Sequence, residues 1–204
     1  MFELLQYLAV ISAGLYGVLL ARSNAMDLVG ICGVAFIVAF GGGTLRDVLL
    51  DRQPLFWIAH EHYAWTLFGI AIVGAWIPRL PQRLEQWLLI PDALGLALFS
   101  IVGAGIAIET TRYEVSMFIA SLFGVITGAF GGLMADVVCN QVPRLFLSTT
   151  PFYSVCAFVG CWVYLLLRFA GVDEPIALWS GVVVIVAFRL AAVRWDWRFP
   201  ATSR

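Results

Sequence analysis

Long apolar runs separated by short polar segments dominate the chain along its whole length. A helix needs about 20 mainly apolar residues to cross a hydrocarbon core of roughly 30 Å. Seven runs approach or reach this length, the third being the shortest: residues 4–21, 27–50, 63–77, 92–108, 115–139, 152–170 and 175–193. Residues 182–187 are apolar on every face, whereas the strands of a membrane barrel alternate over about 10 residues. The pattern predicts an all-α membrane protein with seven transmembrane helices in a single domain, residues 1–204.

The composition agrees with a chain that lies mostly in lipid. Hydrophobic residues make up 62% of the sequence and charged residues 12%, against roughly 45–50% and about 25% in soluble domains. The net charge of −1 gives no sign of a nucleic-acid partner, and the four cysteines lie in apolar runs without metal-ligand spacing. No phosphate-binding loop, nucleophile elbow or zinc signature is present. We therefore expect no enzyme activity, no cofactor and no metal site.

The arginines predict how the chain is oriented. Short cytoplasmic loops of membrane proteins carry an excess of basic residues. Alternate loops and the C-terminal segment hold most of the arginines: Arg22, Arg79, Arg83, Arg144, Arg194, Arg198 and Arg204. This bias predicts that the N-terminus lies outside and the C-terminus lies in the cytoplasm, as an odd number of spans requires.

Two segments of the chain resemble each other. Residues 40–47 read FGGGTLRD and residues 130–136 read FGGLMAD, and each is followed seven residues after its aspartate by a proline. The separation of Asp47 from Asp136, 89 positions, also pairs Gly42 with Gly131. We predict two repeats of three spans, residues 1–80 and 90–171, with a seventh helix at 175–194. Because three is odd, the second repeat enters the membrane from the opposite side, which makes the repeats inverted, as in many transporters.

Glycines cluster late in spans two and five of this prediction. Gly41, Gly42 and Gly43 form the first cluster, and Gly131 and Gly132 form the second. Each glycine costs a helix interior about 1 kcal/mol relative to alanine, so the clusters favour a break or kink. Irregular backbone in a bilayer survives only where protein covers it or where it lines an aqueous cavity. The alternative is close packing of two helices through small residues.

Ionisable residues directly follow both clusters. Arg46 and Asp47 follow the first, and Asp136 follows the second, whereas Ala135 stands where Arg46 would repeat. Charged groups inside spans are costly and usually face a protein interior or an aqueous path. The alternative is that these side chains extend to the headgroups from near the helix ends.

Other polar residues of the apolar runs receive simpler interpretations. Thr44 either bonds back to its own helix or lines a path. Glu3 and Asp92 open their helices, where a carboxylate suits the helix dipole. Arg189 is interpreted as an interfacial residue near the end of the last span.

Three stretches resemble the bacterial trimeric intracellular cation (TRIC) channel family, whose duplicated domain is also described as a glycine-transporter domain. They read AFGGGTLRDVLLDRQPLFW, AFGGLMADVVCNQVP and PDALGLALFSIVGAG. The resemblance implies a homotrimer in a bacterial or archaeal inner membrane, with a pore for K⁺ or Na⁺ in each protomer, lined by kinked helices two and five. It places these residues on the pathway, with Thr44 beside them: Gly41, Gly42, Gly43, Arg46, Asp47, Gly131, Gly132 and Asp136.

Two functions remain open at the level of sequence. A passive channel for monovalent cations agrees with two glycine clusters that each precede an aspartate. A secondary transporter of a small zwitterion such as glycine agrees equally well with helix breaks, because these expose both carbonyl and amide groups. The expected partners are the lipid bilayer, two further copies of the chain and monovalent cations.

Overall fold

The regular structure of the protein consists of helices. A computed structural model describes residues 1–77, 84–112, 114–147 and 151–198, and no strand occurs among them. The helices are α1 (Phe2–Ser23), α2 (Leu28–Leu49), the single turn α3 (Phe56–Ala59), α4 (His62–Trp76), α5 (Leu84–Thr110), α6 (Met117–Val138), α7 (Tyr153–Phe169) and α8 (Glu174–Arg194). A short 3₁₀ turn, Arg144–Phe146, lies between α6 and α7.

The predicted class of all-helical membrane protein is confirmed. Five helical segments are long and apolar enough to cross a membrane, namely α1, α2, α6, α8 and Leu88–Thr110 of α5. Helix α7 is apolar but has 17 residues, and α4 has 15. The exact number of spans and the limits of the two repeats stay predictions. Arg79, Arg83 and Arg204, on which the predicted orientation partly depends, lie outside the described residues.

Helices α2 and α6 begin and end in the same way. Each begins with a polar cap: the Asp27 carboxylate accepts from Gly30 N at 2.8 Å, and the Ser116 hydroxyl oxygen accepts from Ile119 N at 3.3 Å. Such caps satisfy backbone donors that a helix start leaves free. Each helix is followed by a residue with positive φ, Asp51 at 51° and Asn140 at 54°. The same 89-position offset relates these two residues as relates Asp47 to Asp136.

The glycine clusters form the crossing between α2 and α6. A Cβ on Gly42 would overlap the Thr127 carbonyl oxygen, and a Cβ on Gly131 would overlap the Val38 carbonyl oxygen. The two backbones therefore approach as closely as only glycine allows. Residues 38 and 42 of α2 face residues 131 and 127 of α6, respectively, so the two helices run in opposite directions.

No break occurs in either of these helices, so that part of the prediction is wrong, whereas a kink stays a prediction. Both α2 and α6 remain helical through their glycines. Contact with the neighbouring backbone offsets the low helix propensity of glycine, so the stretch stays helical and its carbonyls are not released from a broken turn.

Helix α5 is the central element of the bundle. In its apolar window, 78% of residues are buried, compared with 33–61% in the other long apolar helices. It packs on α1, where Gly95 approaches Ala13, and on α6, where Gly128 approaches the Leu96 carbonyl.

The start of α5 differs from the prediction. The helix begins at Leu84 and passes through Pro91, so Asp92 lies inside it and not at its first turn. Proline removes one backbone donor and often marks a helix start, but here the helix continues through it. The interpretation of Asp92 as a helix-opening residue is therefore wrong.

Candidate functional site

A buried ion pair lies near the C-terminal end of α2. Arg46 Nε and Nη2 both donate to Asp47 Oδ1, at 2.9 and 2.7 Å, and both side chains are fully buried. Asp47 Oδ2 accepts from Phe56 N at 2.8 Å, while Arg52 Nη1 lies 3.1 Å from Oδ1. Arg46, Asp47 and Arg52 form what we call the α2-end cluster. Because Arg46 is fully buried, it does not extend to the headgroups.

Aromatic rings cover this cluster on the side of the protein interior. The guanidinium carbon of Arg46 lies 5.4 Å from the centre of the Phe56 ring. Phe56 in turn contacts Phe99 of α5, with ring centres 6.5 Å apart. Arg46 Nη1 has no hydrogen-bond partner within the described protein. The ring face therefore supplies the main favourable contact for this part of the cation.

A second aspartate repeats this arrangement at the end of α6. Asp136 Oδ2 accepts from Arg144 N at 2.9 Å, and Arg144 Nη2 lies 3.2 Å from Asp136 Oδ1. In both copies, the aspartate thus holds the backbone of the loop that follows its helix. Burial lowers the pKa of the Arg144 guanidinium from its ordinary value, but a guanidinium stays charged. Arg144 therefore supplies to Asp136 the positive charge that Ala135 does not.

Three further polar side chains extend this second site. Tyr153 Oη donates to Asp92 Oδ1 at 2.9 Å, and Arg189 Nη2 lies 3.7 Å from Asp92 Oδ2. Arg189 also donates to the Pro151 carbonyl at 2.8 Å and lies 4.8 Å from the centre of the Tyr153 ring. We call Asp92, Asp136, Arg144, Tyr153 and Arg189 the α6-end cluster.

The interfacial interpretation of Arg189 is wrong. Arg189 is only 6% exposed, because α8 directs its side chain into the bundle toward Asp92. Three partners, namely the Asp92 carboxylate, the Pro151 carbonyl and the aromatic face of Tyr153, offset the cost of burying the charge.

Two cavities lie beside the α6-end cluster within one chain. The first, of about 20 Å³, is lined by α1, α2, α5, α6 and α7 and includes Tyr16, Asp92 and Phe99. The second, of about 10 Å³, includes Asp136, Arg144 and Arg189. Gly132 and Tyr153 line both cavities, so the two spaces adjoin at this point.

One polar group in the wall of the first cavity lacks a hydrogen-bond partner within the described protein. The Tyr16 hydroxyl is buried and has no partner within the described protein. The Arg144 guanidinium carbon lies 5.1 Å from the centre of the Tyr16 ring. Tyr16 therefore joins the first cavity to the α6-end cluster.

The glycines of the predicted site divide into three groups. Gly41, Gly42 and Gly131 meet at the crossing of α2 and α6, where a Cβ on Gly41 would lie 3.5 Å from Gly131 Cα. A Cβ on Gly43 would overlap the Phe56 ring. Of the clustered glycines, only Gly132 lines the two cavities just described.

The polar side chains of the predicted site also lie in different parts of the bundle. Thr44 Oγ1 accepts from Trp57 Nε1 at 3.1 Å, so it holds the loop after α2. Arg46 and Asp47 belong to the α2-end cluster, whereas Asp136 belongs to the α6-end cluster. The two aspartates lie beyond the crossing in opposite directions, because α2 and α6 are antiparallel and both residues follow their glycines.

Sequence reasoning missed Asp92, Arg144, Tyr153 and Arg189 as members of a site. An arginine within an apolar run, such as Arg189, is a functional signal by the cost of burying its charge. The repeat contains a second signal, because its offset pairs Glu3 with Asp92 and brings Tyr63 next to Tyr153. Tyr63 Oη donates to the Glu3 carbonyl at 3.2 Å, in the same way as Tyr153 donates to the Asp92 carboxylate.

Comparison with protein families gives a match over most of the chain. The model described as "Glycine transporter" matches residues 3–79 and again residues 89–168. A UPF0126 membrane protein of Vibrio cholerae is 36% identical over 185 residues, which cover 90% of this chain and 75% of that protein. The UPF0126 inner membrane protein YadS of Escherichia coli K12 is 34% identical over 186 residues, with coverage of 90% and 87%.

Solved structures with the same fold are also found. The TRIC trimeric intracellular cation channel orthologue from Rhodobacter sphaeroides superposes with a TM-score of 0.88 and 29% identity, covering 96% of this chain and 98% of that chain. A further TRIC cation channel gives a TM-score of 0.86 with 28% identity and coverage of 100% and 98%. Together with the matches to the family model and the UPF0126 proteins, these similarities show that the chain belongs to the TRIC channel family, the family of the glycine-transporter domain.

Proposed function

We propose that this protein is a channel for monovalent cations, chiefly K⁺, in a bacterial inner membrane. The supporting similarity is to TRIC cation channels with TM-scores of 0.88 and 0.86 at 29% and 28% identity. The observation that carries the proposal is that two adjoining cavities lie within one chain and have carboxylates in their walls. A pathway through each protomer of a homotrimer agrees with this arrangement.

The proposed pathway follows polar groups from one helix end to the other. It begins at the α2-end cluster, passes the Phe56 and Phe99 rings, and enters the first cavity near Asp92. It then passes Gly132 and Tyr153 into the second cavity, and it leaves beside Asp136. The Tyr153 side chain, which donates to Asp92, lies between the two cavities, so in this scheme it must move for an ion to pass.

Arg46 does not oppose cation flow in this scheme. Its charge is offset by a bidentate contact with Asp47 within the same buried cluster. The antiparallel course of α2 and α6 supports the inverted relation of the two repeats. We further propose seven spans, with the N-terminus outside and the C-terminus in the cytoplasm.

The direct experiment is single-channel recording of the purified protein in planar bilayers with asymmetric KCl. We expect discrete openings whose current reverses near the K⁺ equilibrium potential. A bilayer without openings, combined with saturable uptake of labelled glycine into proteoliposomes, would overturn the channel proposal.

Asp136→Asn is expected to lower K⁺ conductance at low ionic strength by roughly two- to five-fold, because it leaves Arg144 as an uncompensated positive charge at the pathway. Added salt should reduce this difference, since the Debye length falls from about 30 Å at 0.01 M to about 3 Å at 1 M. The measurement is single-channel conductance over a range of KCl concentrations. Glu114→Gln, at an exposed acid in another loop, is the matched control. Equal conductance of the two variants at every concentration would contradict the proposed role of Asp136.

Gly132→Ala is expected to lower conductance without lowering thermal stability. Its Cβ would meet only Tyr153 Oη, at 3.9 Å, which is an ordinary contact. The added methyl group occupies the place where the two cavities adjoin. Alanine also raises helix propensity by about 1 kcal/mol. Gly33→Ala, where a Cβ meets nothing within 4 Å, is the control, and the same conductance in both variants would place the pathway elsewhere.

A carrier of small zwitterions is the second candidate. The observation that favours it is that Asp92 and Arg189, buried groups of opposite charge, line adjoining cavities. A carrier would show uptake that saturates with substrate concentration and no unitary current steps. The recordings and the uptake assay described above therefore separate the two functions.

A further inference from the structure

A third cavity lies at the other end of the second half of the bundle. It has a volume of about 80 Å³ and lies between the C-terminal ends of α5 and α7. Both helices end within a few residues of its walls, at Thr110 and Phe169. Since α5 and α7 belong to the membrane-embedded bundle, this cavity lies at the level where hydrocarbon gives way to headgroups.

The walls of this cavity combine opposite charges with a hydroxyl group. Glu109 of α5 and Arg168 of α7 both line it, together with Tyr164. Tyr164 and Arg168 are four residues apart on α7, so they share one face of this helix, and both line the cavity. Glu109 itself is exposed, so its carboxylate is accessible to a ligand.

The remaining walls are apolar and open toward lipid. Ile108, Leu165 and Phe169 line the cavity, and Phe169 is 55% exposed. Leu166, its neighbour on α7, is 53% exposed. A molecule with a charged end and an apolar end is therefore matched by the cavity and the adjoining surface.

Gly105 lies in the cavity wall, where it leaves room for two neighbouring side chains. A Cβ at this position would overlap the Phe2 ring and would lie 2.8 Å from Tyr164 Oη. The absence of a side chain lets α1 and α7 approach α5 here, and it leaves the hydroxyl of Tyr164 at the cavity wall.

We propose that this third cavity binds the phosphoethanolamine headgroup of a membrane phospholipid. The planar guanidinium of Arg168 contacts the phosphate, as arginine forks do. The Glu109 carboxylate contacts the ammonium group, and the acyl chains lie along Phe169 and Leu166. This site does not depend on the proposed pathway, from which its lining residues are distinct.

The test uses the full-length protein in detergent and native mass spectrometry. Phosphatidylethanolamine and phosphatidylglycerol of the same chain length are titrated separately. We expect the unaltered protein to bind one phosphatidylethanolamine per protomer about 10-fold more tightly than phosphatidylglycerol, because only the former supplies an ammonium partner for Glu109. Equal affinity for the two lipids would overturn the proposal.

Two variants assign the contacts. Glu109→Gln should abolish the preference for phosphatidylethanolamine. Arg168→Gln should lower the affinity for both lipids by about 10-fold. Glu114→Gln and Arg112→Gln change exposed charges of the loop after α5, which do not line the cavity, and should leave binding unchanged. Because Glu109 is exposed, its variant is expected to fold normally, which thermal unfolding checks. A Glu109→Gln protein that retains the preference would contradict the proposed ammonium contact.

A competition arm identifies the source of the headgroup. Soluble phosphoethanolamine carries the same charged groups without acyl chains. We expect that a large excess of phosphoethanolamine does not displace the lipid, because the apolar wall contributes to binding of the acyl chains. Displacement at concentrations similar to that of the lipid would assign the cavity to a free metabolite and would overturn the lipid proposal.

Discussion

Asp47→Ala is expected to destabilise the folded protein by about 3–5 kcal/mol, the usual cost of removing one partner from a buried ion pair. The substitution leaves Arg46, which is fully buried, without its bidentate partner. It also removes the acceptor for Phe56 N and the contact with Arg52. The loop that follows α2 would lose the contact that holds it to the helix.

The measurement is thermal unfolding in detergent, followed by gel filtration of the heated protein. A loss of this size lowers the melting temperature by roughly 6–20 °C. Asp51→Asn, an exposed acid four residues further along, is the control and should melt like the unaltered protein. If Asp47→Ala and Asp51→Asn melt at the same temperature, the ion pair contributes nothing to stability.

A double substitution separates the charge from the contact. Asp47→Asn alone keeps an oxygen acceptor for Phe56 N but leaves the Arg46 charge uncompensated. Replacing Arg46 with methionine in the same protein removes that charge while keeping an extended apolar side chain. We therefore expect the double variant to be more stable than Asp47→Asn, since buried ion pairs are often replaced by apolar groups at little cost.

The helical class of this protein was predictable because membrane-spanning helices need long apolar runs, which no other structure requires. The importance of Asp47 and Asp136 was also predictable, since an ionisable group in such a run is costly wherever it is not partnered. Their role in holding the following loops was not. That role depends on Phe56 N and Arg144 N, backbone donors that look like any others in the sequence.

The α6-end cluster shows why long-range pairs escape prediction from a single sequence. Asp92 and Arg189 are 97 positions apart, and their pairing depends on α5 continuing through Pro91. The predicted fourth span begins at residue 92, directly after this proline, and therefore places Asp92 at the membrane boundary. Once that boundary was misplaced, Arg189 had no visible partner and was interpreted as interfacial.

The two roles proposed for the glycines were likewise inseparable in the sequence. Close packing and the lining of a path both require the absence of a side chain. The structure divides them by position, since Gly131 contacts the backbone of α2 while Gly132, the next residue, faces the two cavities. Residues in one short motif thus have different neighbours because successive positions on a helix point about 100° apart.

Gly42→Ala is therefore expected to destabilise the protein by about 1–3 kcal/mol, the usual cost of overpacking a close contact. The added Cβ would overlap the Thr127 carbonyl oxygen and approach its carbon at 2.9 Å. Backbone atoms cannot rotate away as a flexible side chain does, so α2 and α6 must separate. Their separation would also displace Asp47 and Asp136, which follow the crossing on each helix.

A series along α2 tests this explanation, because the same substitution has a different neighbour at each position. A Cβ on Gly33 meets nothing within 4 Å, one on Gly41 lies 3.5 Å from Gly131 Cα, and one on Gly42 overlaps backbone. Alanine is favoured over glycine in a helix by about 1 kcal/mol, so Gly33→Ala should melt at or above the temperature of the unaltered protein. Gly41→Ala should remain close to it, and Gly42→Ala should melt clearly below it. If Gly42→Ala were as stable as Gly33→Ala, the close approach of α2 and α6 would not be the reason for glycine at this position.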